Sequence, residues 1–188
     1  MIQQSNIGFT YPYPMLEIVN IVTSGSLGQR VNLMDLAYAI PEFSYDPEGY
    51  HGGYLKLTKY TVTIYSSGKY IIPGVKNFED IDSNHQELIE SLRNVLDTTL
   101  IEKVEIKNMV ACSTIGHELN LSRLYANLTL NTDYEVSYEP EVFPGLCIKT
   151  EIGSSNVYRS GKYLLLGTKD VCGLNNLDSL IKTILGSC

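Results

Sequence analysis

The stretch YSSGKYIIPGVK, Tyr65 to Lys76, recurs as YRSGKYLLLGTK, Tyr158 to Lys169, with 7 of 12 positions identical. The shift of 93 residues is shared by a second pair, YDPEGY from Tyr45 and YEPEVF from Tyr138. Upstream, LEIVNIVTSGSLG from Leu16 pairs with VEIKNMVACSTIG from Val104, and VNLMDL from Val31 with LNLSRL from Leu119, both at a shift of 88. The change of shift places a five-residue insertion within Leu128 to Val136. Four collinear matches make the chain an internal duplication, and a repeat of this length dictates the fold before any single element is read. The expected division is a leader over residues 1–15, a first repeat over 16–100 and a second over 101–188.

Each repeat predicts the same order of elements. An extended run, Glu17 to Thr23 or Glu105 to Ala111, precedes a short amphipathic helix carrying Leu33, Leu36 and Ala37, or Leu121 and Leu124. Short β-rich runs follow: FSY, GYLKL, TVTIY and KYIIPGV in the first repeat, SY, LCIK, NVY and KYLLLGT in the second. Ser-Ser-Gly and Arg-Ser-Gly mark the hairpin turns before the last run of each. A closing helix is predicted over FEDIDSNHQELIESLRNVL, with Leu88, Ile89, Leu92 and Leu96 at helical spacing, and over LDSLIKTIL. About 90 residues with one covered sheet face leave an open edge and a small core, so neither repeat is expected to stand alone. The fold class expected is α+β: two repeats joined about a pseudo-two-fold axis into one saddle-shaped antiparallel sheet, with helices on its convex face. The other face is left bare, and function is expected there.

Composition narrows the classes. A chain of 188 residues, 44% hydrophobic and 19% charged, is a folded globular protein rather than a disordered or fibrous one. The formal net charge of −7 excludes a wholly basic nucleic-acid coat, so any polyanionic partner must meet a local basic face. The four cysteines, Cys112, Cys147, Cys172 and Cys188, form no C-x-x-C pair, which points to a reducing compartment. No apolar run approaches the roughly 18 residues of a membrane span, and the N-terminus has no secretory pattern. Enzyme readings find no support: Gly68-Lys69 and Gly161-Lys162 lack the upstream glycine of a phosphate-cradling loop. His51, His85 and His117 have no ligand spacing and read as surface or capping residues.

Alternation along the last strand of each repeat sends Lys69 and Ile71 to one side and Tyr70 and Ile72 to the other; Lys162 and Leu164 likewise oppose Tyr163 and Leu165. A helix-free face that is apolar in the middle with lysines at its margins suits the minor groove of DNA, which has base edges in its floor and phosphates along its walls. The ordered set Asn20-Ile-Val, Asn108-Met-Val, YEPEVFPGL and YRSGKYLLLGTK resembles the TATA-box-binding protein family, over roughly Leu16 to Leu185. That resemblance implies a general transcription initiation factor that binds and bends A/T-rich promoter DNA through the minor groove. It also implies recruitment of a B-type general transcription factor and RNA polymerase. No cofactor, metal or membrane is implied. The expected state is a monomer on DNA with a dimer open to the free protein, in an archaeal cytoplasm or a nucleus.

Residue by residue, Tyr50 with Tyr65, and Phe143 with Tyr158, match positions at which the family's aromatics wedge between base steps, a mode known from the family itself. Asn20 and Asn108 match a central pair that donates to adenine N3 and thymine O2. Val22, Val110, Ile71 and Leu164 match apolar positions pressed on the groove floor. Lys56, Lys69 and Lys76 recur as Lys149, Lys162 and Lys169, and with Arg159 match positions facing phosphates. This predicts a positive saddle, with the acidic residues carried by the helices. Glu139, Glu141 and Val142 match the loop offered to the B-type factor, where acids suit a basic partner.

The chain also departs from the family. Tyrosine stands at three of the four wedge positions, and Pro73 and Leu166 each replace a base-contacting threonine. Pro73 further requires a bulge, because it has no ladder donor. Thr63 and Asn156 stand at apolar groove-facing positions, and His51 replaces a proline. These departures favour an alternative: a diverged relative working mainly as a protein-interaction module or competitor, with weak or altered DNA binding.

Overall fold

The computed structural model describes residues 16–131 and 134–186. The leader of residues 1–15, Cys188 and the middle of the insertion lie outside the described residues. The first repeat contains β1 (Glu17–Ser26), α1 (Leu33–Ala39), β2 (Phe43–Ser44), β3 (Gly52–Lys56), β4 (Thr61–Tyr65), β5 (Lys69–Val75) and α2 (Glu79–Leu92). The second contains β6 (Glu105–Thr114), α3 (Leu121–Asn131), β7 (Glu135–Ser137), β8 (Leu146–Lys149), β9 (Ser154–Val157), β10 (Lys162–Thr168) and α4 (Val171–Gly186).

The ten strands form one antiparallel sheet in the order β2-β3-β4-β5-β1-β6-β10-β9-β8-β7. Its two halves mirror each other about the β1–β6 seam. There Ile21 faces Met109, Asn20 faces Val110 and Val22 faces Asn108, so the pseudo-dyad passes through the Ile21–Met109 pair. The expected saddle is thus present, assembled from two repeats that share a single central seam.

Burial explains why one side is covered. On β1 and β6, Ile21, Thr23, Met109, Ala111 and Ser113 are buried, while Asn20, Val22, Ser24, Asn108, Val110 and Cys112 alternate with them on the open side. On β5 and β10, Tyr70, Ile72, Tyr163 and Leu165 point to the covered side. The helices close over that side. Asn32 Oδ1 accepts the Met34 N–H at 3.0 Å to start α1, and Asn120 Oδ1 accepts the Arg123 N–H at 3.0 Å to start α3. The helix α1 has 7 residues and α3 has 11, so most of the insertion is absorbed as an extra helical turn ahead of β7.

Two helix limits differ from the sequence expectation. The helix α2 ends at Leu92, and Leu96 packs against the core from the turn beyond, its N–H bonded to the Leu92 carbonyl at 2.9 Å. The helix α4 begins at Val171, six residues before LDSLIKTIL, because burial of Leu174 and Leu177 outweighs the poor helix propensity of Gly173, Asn175 and Asn176. Asp170 Oδ1 receives the Gly173 N–H at 2.7 Å and caps that first turn. The hairpin glycines stand as expected. Gly68 and Gly161 have φ of +87° and +80°, and a Cβ on either would fall 1.9 Å or 2.0 Å from the carbonyl oxygen of Gln29 or His117.

In each repeat a tyrosine of the sheet meets a polar side chain of the closing helix, with unlike chemistry in the two. Tyr70 and His85 meet at 3.0 Å between hydroxyl and Nδ1; at the corresponding positions the Tyr163 hydroxyl donates to Asp178 Oδ1 at 2.7 Å. Asp178 also pairs with Lys182 at 2.7 Å. His85 is therefore a half-buried sheet-to-helix contact rather than the surface residue expected, because the Tyr70 hydroxyl emerges beneath it. Burial pushes both phenols up, that of Tyr70 to about 12. The first repeat has a further tie: the Asp80 carboxylate accepts from Lys59 Nζ at 2.7 Å, the Tyr60 hydroxyl at 2.9 Å and Asn77 Nδ2 at 3.2 Å. These donors hold Asp80 below the usual carboxylate range.

Burial also holds His85 below its ordinary value of 6.5, so unfolding takes up a proton as the pH falls. The stability contributed by neutral His85 is intact above that value and lost as pH drops through the folded-state one. Urea unfolding is expected to show a midpoint falling between about pH 7 and about pH 5, with His85→Gln flattening that fall. Tyr163→Phe leaves Asp178 short of a buried donor and is expected to lower the unfolding free energy by about 1–3 kcal/mol in the same assay.

Candidate nucleic-acid interface

The open face is organised from its centre. Asn20 Oδ1 accepts the Gly74 N–H at 2.8 Å, and Asn108 Oδ1 accepts the Gly167 N–H at 3.0 Å. Both glycines have positive φ, +84° and +93°, and both lie in bulges where β5 and β10 slip in register against the central strands. The bulge expected for Pro73 is there, so its missing N–H breaks no ladder bond. The consequence for the asparagines is chemical. With each oxygen turned to a backbone donor, the Nδ2 hydrogens are the end of each amide left to face the open surface.

Outward from this centre, side chains line up in rows across the strands. Ser24, Ile71, Thr63 and Tyr54 are successive cross-strand neighbours in the first repeat. Cys112, Leu164, Asn156 and Cys147 occupy the matching row of the second. Val22 and Val110 flank the asparagines and, like Ile71 and Leu164, are half-buried.

At each end stands an aromatic pair of nearly equal geometry. The Tyr50 and Tyr65 ring centroids are 6.3 Å apart at 61°, and those of Phe143 and Tyr158 are 6.1 Å apart at 62°. None of the four lies under a helix. The Tyr50 and Tyr65 hydroxyls are 3.0 Å apart. That hydrogen bond, with burial adding to it, pushes the Tyr65 phenol up to about 12. The first repeat adds two rings that sequence reasoning left out of the site: Tyr54 stacks on Tyr50 at 5.8 Å, and His51 on Tyr65 at 5.4 Å. The signal for Tyr54 was present in GYLKL, whose alternation places it beside Lys56. The second repeat has Pro144 and Cys147 in these places, so the ends differ chemically.

All seven basic residues singled out from the sequence are exposed: Lys56, Lys69, Lys76, Lys149, Arg159, Lys162 and Lys169. Lys149 Nζ is 2.8 Å from Glu135, and Arg159 is 3.7 Å from Glu118. Exposed pairs of this kind are weak, so either cation can exchange its carboxylate for another anion. The acidic residues do not follow the expectation as a whole. The helix α2 carries Glu79, Asp80, Asp82, Glu87 and Glu90, but α1 and α4 carry one acid each and α3 none. Most of the acids lie in loops and at strand ends, where water reaches a carboxylate as readily as on a helix. Glu139, Glu141 and Val142 form the turn between β7 and β8. The Val142 and Phe143 N–H groups both bond to the Glu139 carbonyl at 2.9 Å, and Val142 projects with 80% of its surface exposed. Among the described residues no cluster of metal-ligating side chains occurs, and no helix is long and apolar enough to cross a membrane.

A duplicated antiparallel sheet, helix-covered on one side, with paired asparagines at its dyad and aromatic pairs at both ends, defines the class of saddle-shaped, internally two-fold proteins. The chain belongs to the family described as transcription factor TFIID (or TATA-binding protein, TBP), whose model matches residues 15–95 and 103–187. It is 33% identical over 163 residues to TATA-box-binding protein C of Halobacterium salinarum, covering 82% of this chain and 88% of the relative. It is 31% identical over 161 residues to the TATA-box-binding protein of Methanocaldococcus jannaschii, covering 83% and 85%. Among solved structures it resembles Methanococcus jannaschii TBP with a TM-score of 0.77 and 27% identity, covering 93% of this chain and all of that one.

The phenol of Tyr65 offers a direct check on the first-repeat pair. Tyr50→Phe removes the hydroxyl bond that contributes most to its shift, so Tyr65 should titrate closer to the ordinary 10 when followed by carbon-13 NMR of labelled tyrosine.

Proposed function

We propose that the open face binds A/T-rich promoter duplex through the minor groove and bends it. The observation that carries this reading is the pair of asparagines at the dyad with their oxygens engaged by Gly74 and Gly167. A centre that turns its amide donors outward fits adenine N3 and thymine O2 and is opposed by the guanine amino group. Val22, Val110, Ile71 and Leu164 press on the floor, and Tyr50, Tyr65, Phe143 and Tyr158 enter base steps at the two ends. Unstacking a step costs a few kcal/mol, and the bend offsets this by bringing more of the sheet into the groove. Lys56, Lys69, Lys76, Lys149, Lys162, Lys169 and Arg159 meet phosphates. Anion binding there breaks only weak exposed ion pairs.

The turn of Glu139, Glu141 and Val142 serves a B-type general transcription factor, and through it RNA polymerase. An apolar tip that follows two exposed carboxylates suits a basic partner with an apolar patch. The similarity to proteins named TATA-box-binding proteins supports the DNA-binding part of this reading. A second reading, in which the chain is mainly a protein-interaction module, draws on the Tyr50–Tyr65 hydroxyl bond, which must be rehydrated or rearranged when the rings part.

Mobility-shift assays with a TATA duplex and a G·C-substituted control separate the two. The groove reading expects an A·T-dependent complex at moderate salt; its absence would leave the interaction module. Asn108→Ala should narrow the gap between the two duplexes. Lys162→Ala should weaken both alike and reduce the salt slope by about one. Identical behaviour of the two variants would overturn these role assignments.

A further inference from the structure

A perfectly two-fold scaffold seats on any duplex in two directions at equal energy, and only residues that differ between the repeats, set against a duplex that is itself asymmetric, can break the tie. Thr63 and Asn156 are such a pair. They lie on β4 and β9, cross-strand from Ile71 and Leu164, half-buried on the open face. At about 4.8 Å per strand each is roughly 12 Å from the dyad, or about three base pairs along a duplex.

The amide of Asn156 differs from those at the centre. Asn20 and Asn108 turn their oxygens to backbone N–H groups and present their amide donors outward. Neither the oxygen nor the nitrogen of the Asn156 amide has a partner among the described residues. It therefore offers an acceptor together with its donors. In the minor groove an A·T pair shows acceptors only, whereas a G·C pair adds the guanine amino donor. An amide that turns its donors outward is opposed by that group; an amide with a free oxygen can accept from it. The Thr63 hydroxyl ends one atom nearer its strand and has the Tyr54 ring as its cross-strand neighbour, where Asn156 has the smaller Cys147.

We propose that Asn156 accepts a hydrogen bond from a guanine amino group, so that the second repeat takes a G·C pair at a position where the first requires A·T. The direction in which the protein lies on DNA is set by this difference. The inference rests on the minor-groove reading above and gives it a specificity of its own.

The test uses the full chain and a self-complementary A·T duplex, with affinities read by fluorescence anisotropy as G·C pairs are walked outward from the centre. Because the protein can turn round, one G·C pair at either of two mirror positions is tolerated, with a loss within about 3-fold. Two G·C pairs, one at each mirror position, place one of them under Thr63 and are expected to weaken binding at least about 10-fold. In Asn156→Thr, which makes the repeats alike at this position, a single G·C pair already brings the larger loss, each affinity being taken relative to the same variant's affinity for the all-A·T duplex. Asn156→Leu provides the same comparison if circular dichroism shows the threonine variant to be unfolded. The proposal is overturned if single and double substitutions weaken wild type equally, or if both variants keep the tolerance. A·T-dependent binding in which mirror-related single and double G·C substitutions cost the same sinks this inference alone; no A·T-dependent complex with any duplex sinks the groove reading and the inference together.

Discussion

The N–H groups of Gly74 and Gly167 would be orphaned by the bulges in β5 and β10, and Asn20 and Asn108 capture them. Much else depends on this pair of hydrogen bonds. They hold the irregular strands against the central seam, and the bulges let those strands bend and twist more strongly than a regular ladder would. They also fix both amides with their nitrogens outward. A single contact, made twice, thus satisfies the backbone and aims the polar groups at the middle of the open face. The structural role and the chemical one do not compete, because they use opposite ends of the same amide.

The duplication is close in backbone and loose in chemistry. Tyr70 and Tyr163 occupy matching places in the sheet, yet one meets a histidine and the other an ion-paired aspartate. Asp80 gathers three donors in the first repeat, whereas Gly173 stands at the matching position in the second. The same drift appears on the open face, where Tyr50, His51, Tyr54 and Tyr65 form a ring cluster at one end and Phe143 and Tyr158 a plain pair at the other. Packing tolerates such exchange where each buried phenol keeps a polar partner and each row keeps its shape.

A net charge of −7 and a basic rim coexist because charge acts locally at the distances involved. The lysines stand on strands or just beyond their ends, facing outward from the sheet. Most carboxylates lie on α2 or in loops, and those nearest the rim, Glu135 and Glu118, form exposed pairs. Such pairs restrain the cations without burying them, and a phosphate array can displace the acids with little desolvation cost. The net charge then limits indiscriminate association with nucleic acid more than it opposes a fitted groove.

Much was legible in the sequence because periodicity and repetition are local signals. The matches around Tyr65 and Tyr158, and the alternation through Lys69 to Ile72, implied a single antiparallel sheet, its pseudo-dyad and which side chains of the last strands share the open face. The early start of α4 was hidden by Gly173, Asn175 and Asn176, whose helix comes from the burial of Leu174 and Leu177 rather than from propensity. The partner of Tyr70, the stacking of Tyr54 on Tyr50 and of His51 on Tyr65, and the ion pairs of Lys149 and Arg159 join residues whose proximity no periodicity encodes. By itself the sequence determined the duplicated sheet and its two faces, since hydrophobic alternation and a fixed repeat length leave few ways to bury the apolar side. Only the tertiary structure decided which end of each asparagine amide is free, because that depends on where the bulges of β5 and β10 place a backbone N–H against the central strands.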